Sequence, residues 1–229
     1  MKKVIILVVA LTLVAAGVAF AGIVNTKHNL SSAGLGTQTY TSNTDEVCVF
    51  CHTPHGTMIQ PLWNRANPDA TTFTPYSSDT FSQNGAVTLG AGSLNCLSCH
   101  DGTTGLNAIT NSPGPGTGTQ PTVGPTNVIT GTFTNLGKDL RDDHPVGFVY
   151  ANAVTADTLG INPDTTALTT GATGWKTAVA GNTIANLLRA GQMECVSCHE
   201  PHMEAAAGKV AFLRNDNSAS NMCTTCHNK

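Results

Sequence analysis

Every cysteine in the chain belongs to one of four copies of a five-residue pattern. The copies are Cys48-Val49-Phe50-Cys51-His52, Cys96-Leu97-Ser98-Cys99-His100, Cys195-Val196-Ser197-Cys198-His199 and Cys223-Thr224-Thr225-Cys226-His227. Cysteines three residues apart share one face of a helical turn, so their sulfurs can bond the two vinyl groups of a single porphyrin. The next residue then lies under the iron, where an imidazole is the proximal ligand. C-x-x-C-H is the attachment signature of c-type haem, and four copies imply four covalently attached haem c groups. Cys48, Cys51 and His52 hold the first, and Cys96, Cys99 and His100 the second. Cys195, Cys198 and His199 hold the third, and Cys223, Cys226 and His227 the fourth.

Two other uses of paired cysteines fit less well. A disulfide framework in an exported protein gives no reason for a histidine after every pair. Structural zinc also uses C-x-x-C units, but it needs no repeated adjacent histidine. With eight histidines in 229 residues, four such successes by chance are roughly a one-in-a-million event.

The sixth iron ligand separates an electron carrier from an enzyme, because substrate binds at an open iron position. Four histidines are proximal, which leaves His28, His55, His144 and His202, one for each iron. Each is expected to be a distal ligand, so that all four irons are bis-histidine. Methionine is the rival, from Met58, Met193, Met203 or Met222, and would raise the potential of the haem it served.

Two of these histidines carry a further constraint. His55 follows His52 by three residues and His202 follows His199 by three, after Pro54 and Pro201. Residues so close on a short turn cannot straddle a porphyrin. His55 is therefore excluded from the first iron and His202 from the third, and each must reach another haem, which forces the haems together. Irons on the order of 10 Å apart, at an effective dielectric of about 20, interact by roughly 1.7 kcal/mol. That is about 70 mV for a one-electron couple, so a broad redox titration is expected.

The rest of the chain must position these groups. Met1-Lys2-Lys3, the apolar run from Val4 to Ala16 and Ala19-Phe20-Ala21 read as a secretory signal peptide over residues 1–21. The run is too short for a membrane span, and no cysteine follows the cleavage point to take a lipid. Residues 22–229 then form a single domain. The leader takes two of the 11 basic residues, leaving nine against 14 acids and a net charge of −5. That balance lacks the basic stripe of a nucleic-acid binder.

The composition, with 23 glycines, 11 prolines and 5% aromatics, is short of the large side chains that fill a conventional core. The expected fold is mostly irregular, with a few short α-helices at the haem motifs, minor β structure and a core of four stacked haems. Without them the chain should fold poorly. Trp63, Phe73, Tyr76 and Phe81 are candidates to pack on porphyrin.

Local signals are sparse. Residues 102–136 carry no charge and read as ordered surface loop, with a short strand over Val128–Phe133. Pro145 biases His144 towards an extended backbone, which projects its side chain. Asn182 or Thr183 caps a helix that buries Ile184, Leu187 and Leu188 and ends at Gly191. A second short helix runs from Asn217 or Ser218 into the fourth motif.

The segments Lys27-His28-Asn29-Leu30, Cys51-His52-Thr53-Pro54-His55, Asp143-His144-Pro145-Val146-Gly147 and Cys198-His199-Glu200-Pro201-His202 resemble the doubled-C-x-x-C-H multihaem cytochromes. Within that group, haem count, length and motif order are similar to the tetrahaem cytochromes that polymerise into extracellular electron-conducting filaments. The resemblance implies one continuous haem chain, with a histidine of one subunit ligating a haem of the next. His55 occupies the matching motif position, and its target would be the haem on Cys223 and Cys226 of a neighbouring subunit. His28 would then serve the first haem, His202 the second and His144 the third.

The function expected from these residues is long-range electron transfer, without catalysis, to redox partner proteins or extracellular metal acceptors. Two alternatives stand beside the filament: a soluble periplasmic tetrahaem shuttle, and a multihaem reductase with an open iron, which the histidine count disfavours.

Overall fold

The computed structural model describes residues 22–34, 39–54, 62–114, 118–168, 175, 182–203 and 212–228. The leader and the stretch holding His55 and Met58 lie outside them. Regular structure is scarce. The helices are α1 (Ala91–His100), α2 (Tyr150–Ala156), α3 (Cys195–Cys198) and α4 (Asn221–Cys226). Strands β1 (Thr41–Ser42) and β2 (Val123–Gly124) pair antiparallel, as do β3 (Phe148–Val149) and β4 (Gln192–Met193). Short 3-10 turns over Gly22–Asn25, Ala70–Thr72, Ile184–Asn186 and Ser218–Ser220 complete the set. Among the described residues no helix is long and apolar enough to cross a membrane.

Three of the helices end on haem motifs, as expected, because C-x-x-C-H itself needs a helical turn. The turn entering the fourth motif is also where the sequence places it, from Ser218 onward. Two other expectations fail. Thr183 does cap, in a reciprocal box with Asn186, but only the 3-10 turn Ile184–Asn186 follows. Ile184, Leu187 and Leu188 are buried as the pattern requires. The chain then reverses instead of continuing: Ala190 and Gly191 both have positive φ, at 50° and 78°. Arg189 and Gln192 exchange backbone bonds of 3.0 Å across them. Two left-handed residues in a two-residue loop make a tight hairpin turn, which delivers β4 to β3. Nor is Val128–Phe133 a strand. The pairing strand lies upstream at β2, while Ile129 is buried and Phe133 stands 96% exposed.

Among the described residues the apolar interior is split into three small clusters. One gathers Phe148, Tyr150, Leu168, Trp175, Ile184 and Met193, with Cys226 against it. A second joins Phe50, Leu106, Ile109, Val123 and Ile129, with Cys51 and Cys99 at its edge. The third is Phe73, Leu89, Leu97 and Leu140. A chain of this length ordinarily condenses around one contiguous core. Here two of the clusters carry motif cysteines on their flanks, as they would if prosthetic groups filled the space between.

Gly147, in the segment after His144, fixes one contact between these parts. Its φ is +83°, and a Cβ there would stand 2.9 Å from the Thr88 carbonyl carbon and oxygen. Its N–H donates to Met193 O at 2.7 Å, and its carbonyl accepts from Thr88 N–H at 2.7 Å. Gly147→Ala combines left-handed strain of about 1–2 kcal/mol with a backbone clash. It should lower the melting temperature of the haem-loaded protein by several degrees, at about 2–4 °C per kcal/mol. An unchanged melting curve would refute this packing.

Candidate functional site

Each motif closes as a helical turn. In the first, third and fourth, the histidine N–H donates to the carbonyl of the leading cysteine, at 2.7, 3.0 and 2.8 Å. The second motif is the last half of α1. Both cysteines of each pair thus lie on one turn, and none of the eight is in a disulfide.

A returning segment then ties each motif down. The carbonyl of the second cysteine accepts from a distant N–H in three of them: Asn64 to Cys51 at 2.9 Å, Arg214 to Cys198 at 2.8 Å, Asn162 to Cys226 at 2.9 Å. The first and third motifs are repeats in finer detail. Leu62 and Phe212 both take positive φ, 53° and 60°, just before isolated bridges that pair His52 with Trp63 and His199 with Leu213. Asn64 Nδ2 donates to the Val49 carbonyl at 2.6 Å, and Arg214 Nε to the Val196 carbonyl at 2.8 Å. Val49 and Val196 occupy the same place in their motifs.

Three histidines outside the motifs come to histidines within them. His28 faces His100 with ring centroids 6.2 Å apart, His202 faces His52 at 6.0 Å, and His144 faces His227 at 6.4 Å. Metal–nitrogen bonds of about 2 Å, plus half an imidazole on each side, separate two trans ring centroids by roughly 6 Å. The interplanar angles of 66°, 20° and 73° are unrestricted by that geometry, because each ring can rotate about its metal bond. Edge-to-face aromatic pairs span similar distances, but chance packing gives no reason for each pair to join one motif histidine to one outside. The residues fit haem iron with two axial imidazoles.

Ring hydrogen bonds support the same use. His100 Nδ1 lies 2.6 Å from Thr134 O, His144 Nδ1 3.0 Å from Pro145 O, and His202 Nδ1 3.0 Å from Glu200 Oε1. Histidine ligands usually donate their second ring N–H to such acceptors, which fixes the tautomer and leaves the other nitrogen for the metal. Burial, then the neighbouring His100, push His28 down to about 4, and burial likewise lowers His100. Both imidazoles are thereby held neutral, the ligand form.

The pairing differs from the one implied by the resemblance. His28 meets the second motif and not the first, His202 the first and not the second, His144 the fourth and not the third. His202 faces His52, the histidine of a motif other than the one it follows. His55 lies outside the described residues. Of the aromatic candidates, Trp63 stands edge-on to His52 at 5.7 Å. Phe73 packs on Leu97 in the third cluster, and Tyr76 and Phe81 form an edge-to-face line to Phe148. Met193 is buried in the first cluster, with Met222 packed against it.

The motifs follow one another in space as in sequence. Burial, then the charge of Cys99, push Cys51 up to about 12. Contact with Cys195 raises Cys96 and lowers Cys195. Burial, then Cys226, push Cys198 up to about 12. Between the second and third motifs sits Glu194, 1% exposed. It accepts from Gly90 N–H at 2.9 Å and from the Ser93 hydroxyl, which in turn accepts from Cys195 N–H at 3.1 Å. Between the first and second sits Arg65, discussed below. The sequence reading passed over Glu194, Asn64, Arg65 and Arg214. The parallel of Leu62-Trp63-Asn64-Arg65 with Phe212-Leu213-Arg214-Asn215, each following a C-x-x-C-H-x-P-H, is the signal that would have found three of them.

Residues 188–229, which hold the third and fourth motifs, match the family model described as the doubled CXXCH motif. That match supports a multihaem c-type cytochrome. No curated protein matches the chain.

The ring pairs make a direct prediction. His144→Ala should leave one haem five-coordinate and high-spin, able to bind carbon monoxide once reduced, while the others stay low-spin. Absorbance and paramagnetic resonance spectra of the purified protein would show it. A spectrum that stays wholly low-spin would remove His144 from the ligand set.

Proposed function

We propose that this chain is a bis-histidine tetrahaem cytochrome that carries electrons over long range and performs no catalysis. The single observation that carries this reading is the set of three facing imidazole pairs, each built on a different C-x-x-C-H. Bound haem supplies a one-electron iron couple. The protein's residues clamp each porphyrin by two thioethers, furnish both axial nitrogens and hold the motifs in a row. Two histidines on an iron leave no position for substrate, which argues for a carrier over a reductase.

The further proposal is that copies of the chain join into an extracellular filament, with His55 ligating a haem of the adjacent subunit. The resemblance in length and motif order supports it, as does the exported character of c-type cytochromes. His144 faces His227, which redirects His55 away from the fourth haem. With His28, His202 and His144 each engaged elsewhere, the haem of the third motif becomes its target.

One observation favours a second reading. The first and third motif units repeat each other, and His202 of the third reaches His52 of the first. A reciprocal exchange would bring His55 to His199 within one chain, complete every iron and yield a soluble periplasmic shuttle.

His55→Ala separates the two. Under the filament reading, wild-type material seen by electron microscopy forms fibres and the variant stays monomeric. Under the shuttle reading, both proteins are monomeric, and the variant gains one high-spin haem that the wild type lacks. Fibres formed equally by both proteins would overturn the role given to His55.

A further inference from the structure

Arg65 is completely buried. Its guanidinium donates only to neutral oxygens. Nε reaches Ser98 Oγ at 3.2 Å, Nη2 reaches the Ser98 carbonyl at 2.8 Å and the Gly105 carbonyl at 2.6 Å, and Nη1 reaches the Leu106 carbonyl at 2.8 Å. Among the described residues no carboxylate pairs with it; Arg141 pairs with Asp139 and Arg214 with Glu200. Burying a cation without a counter-charge is costly. A neutral amide can cross-link carbonyls at lower cost, and adjacent Asn64 does so with Val49 O and Asn111 O. Gathering carbonyls alone therefore gives no reason for a charge at this position.

The charge is lodged between two clamps. Ser98 lies inside the second motif, between Cys96 and Cys99, and Asn64 N–H donates to the Cys51 carbonyl of the first at 2.9 Å. A second fixed charge lies at the second motif, one residue beyond His100. Asp101, 2% exposed, accepts four bonds from the amides and hydroxyls of Thr103 and Thr104. It offsets part of the cation at the second motif, to which it is joined directly in the chain. A porphyrin's own carboxylates hang from the edge opposite its vinyl groups, so a haem held by these cysteines brings no counter-charge to Arg65.

We propose that Arg65 is a built-in electrostatic bias, a permanent buried cation that holds the first two haems, and the first more than the second, at a higher reduction potential than a neutral residue would. This rests on reading the four motifs as haem sites. A fixed positive charge in a low-dielectric interior favours the redox state that carries one more electron. The bias makes the haems of the first and second motifs, the first above all, the place where electrons collect.

The test uses the full, haem-loaded protein in two variants. Arg65→Gln keeps donors for the carbonyls and removes the charge, whereas Arg65→Lys keeps the charge and loses the fork. A potentiometric titration resolved by haem signals in nuclear magnetic resonance reads each site. In Arg65→Gln two of the four components should shift, the larger change at the first haem. There the ferrous-to-ferric ratio at fixed potential should fall about tenfold, equivalent to about 59 mV for a one-electron couple. Arg65→Lys should leave all four in place. Both variants should melt earlier, because both lose part of the bonding, and that loss alone is all a merely positioning role would give.

Loaded Arg65→Gln protein with unmoved potentials, a common shift of all four components, or an equal shift in Arg65→Lys would each overturn the proposal. If Arg65→Gln does not take up haem, Arg65→Lys decides: unmoved potentials with a lower melting temperature support it, and displaced potentials sink it. A haem assay finding no covalent haem in the wild type would refute the underlying reading instead.

Discussion

Three pairs of imidazoles face each other across roughly 6 Å, and much of this structure follows from bringing those rings together from residues remote in sequence. The three facing pairs join positions about 70, 150 and 80 residues apart. Each is a long-range cross-link that a chain with three small apolar clusters cannot otherwise supply. Closing loops of that length costs a few kcal/mol each by the logarithmic law, and metal ligation in small proteins returns more than that. The haem motifs are thus structural elements as much as redox sites. The low content of helix and strand is a consequence: the chain is braced by its prosthetic groups and by polar straps, not by packed layers.

Those straps explain why the interior holds so many buried polar residues. Asn64, Arg65, Glu194 and Arg214 are all buried, and every one bonds to the backbone or side chains of a motif or to the segment leading into one. Hydrogen bonds to charged groups contribute about 1.5–3 kcal/mol, and an orphaned buried partner costs a comparable amount. A clamp made of one helical turn has little rigidity of its own, and this network fixes the direction in which its cysteines point. Arg214 shows the economy of the arrangement. It orients the third motif through Val196 and also pairs with Glu200 at 2.8 Å, the carboxylate beside the His202 ring.

The chemistry of the site was legible in the sequence because it is local. Five contiguous residues specify a clamp, and the count of eight histidines, two for each clamp, is what points to a second imidazole at each. Pairing was not legible, because His28, His144 and His202 reach their motifs through turns that no periodicity announces. The Ala190-Gly191 reversal is the clearest instance. Ile184, Leu187 and Leu188 have the spacing of a helix face and are buried, but the hairpin that follows overrides the helix by pairing Gln192 and Met193 with Phe148 and Val149. Tertiary pairing outweighs propensity here, since propensity differences amount to tenths of a kcal/mol per residue.

The repeat between the first and third motifs carries the argument one step further. In both units a left-handed residue turns the chain back, a side-chain donor caps the first variable residue of the motif, and a backbone N–H seals the second cysteine. Two units built alike, one of which donates a histidine to the other, have the logic of a pseudo-symmetric pair, with the second and fourth motifs attached at its flanks. The cysteine contacts place motif one beside two, two beside three and three beside four, while His202 ties three back to one. Such a closed set of contacts resists separation of any neighbouring clamps. The relative placing of the motifs is thus built from hydrogen bonds to glycine, serine and threonine loops more than from a hydrophobic core.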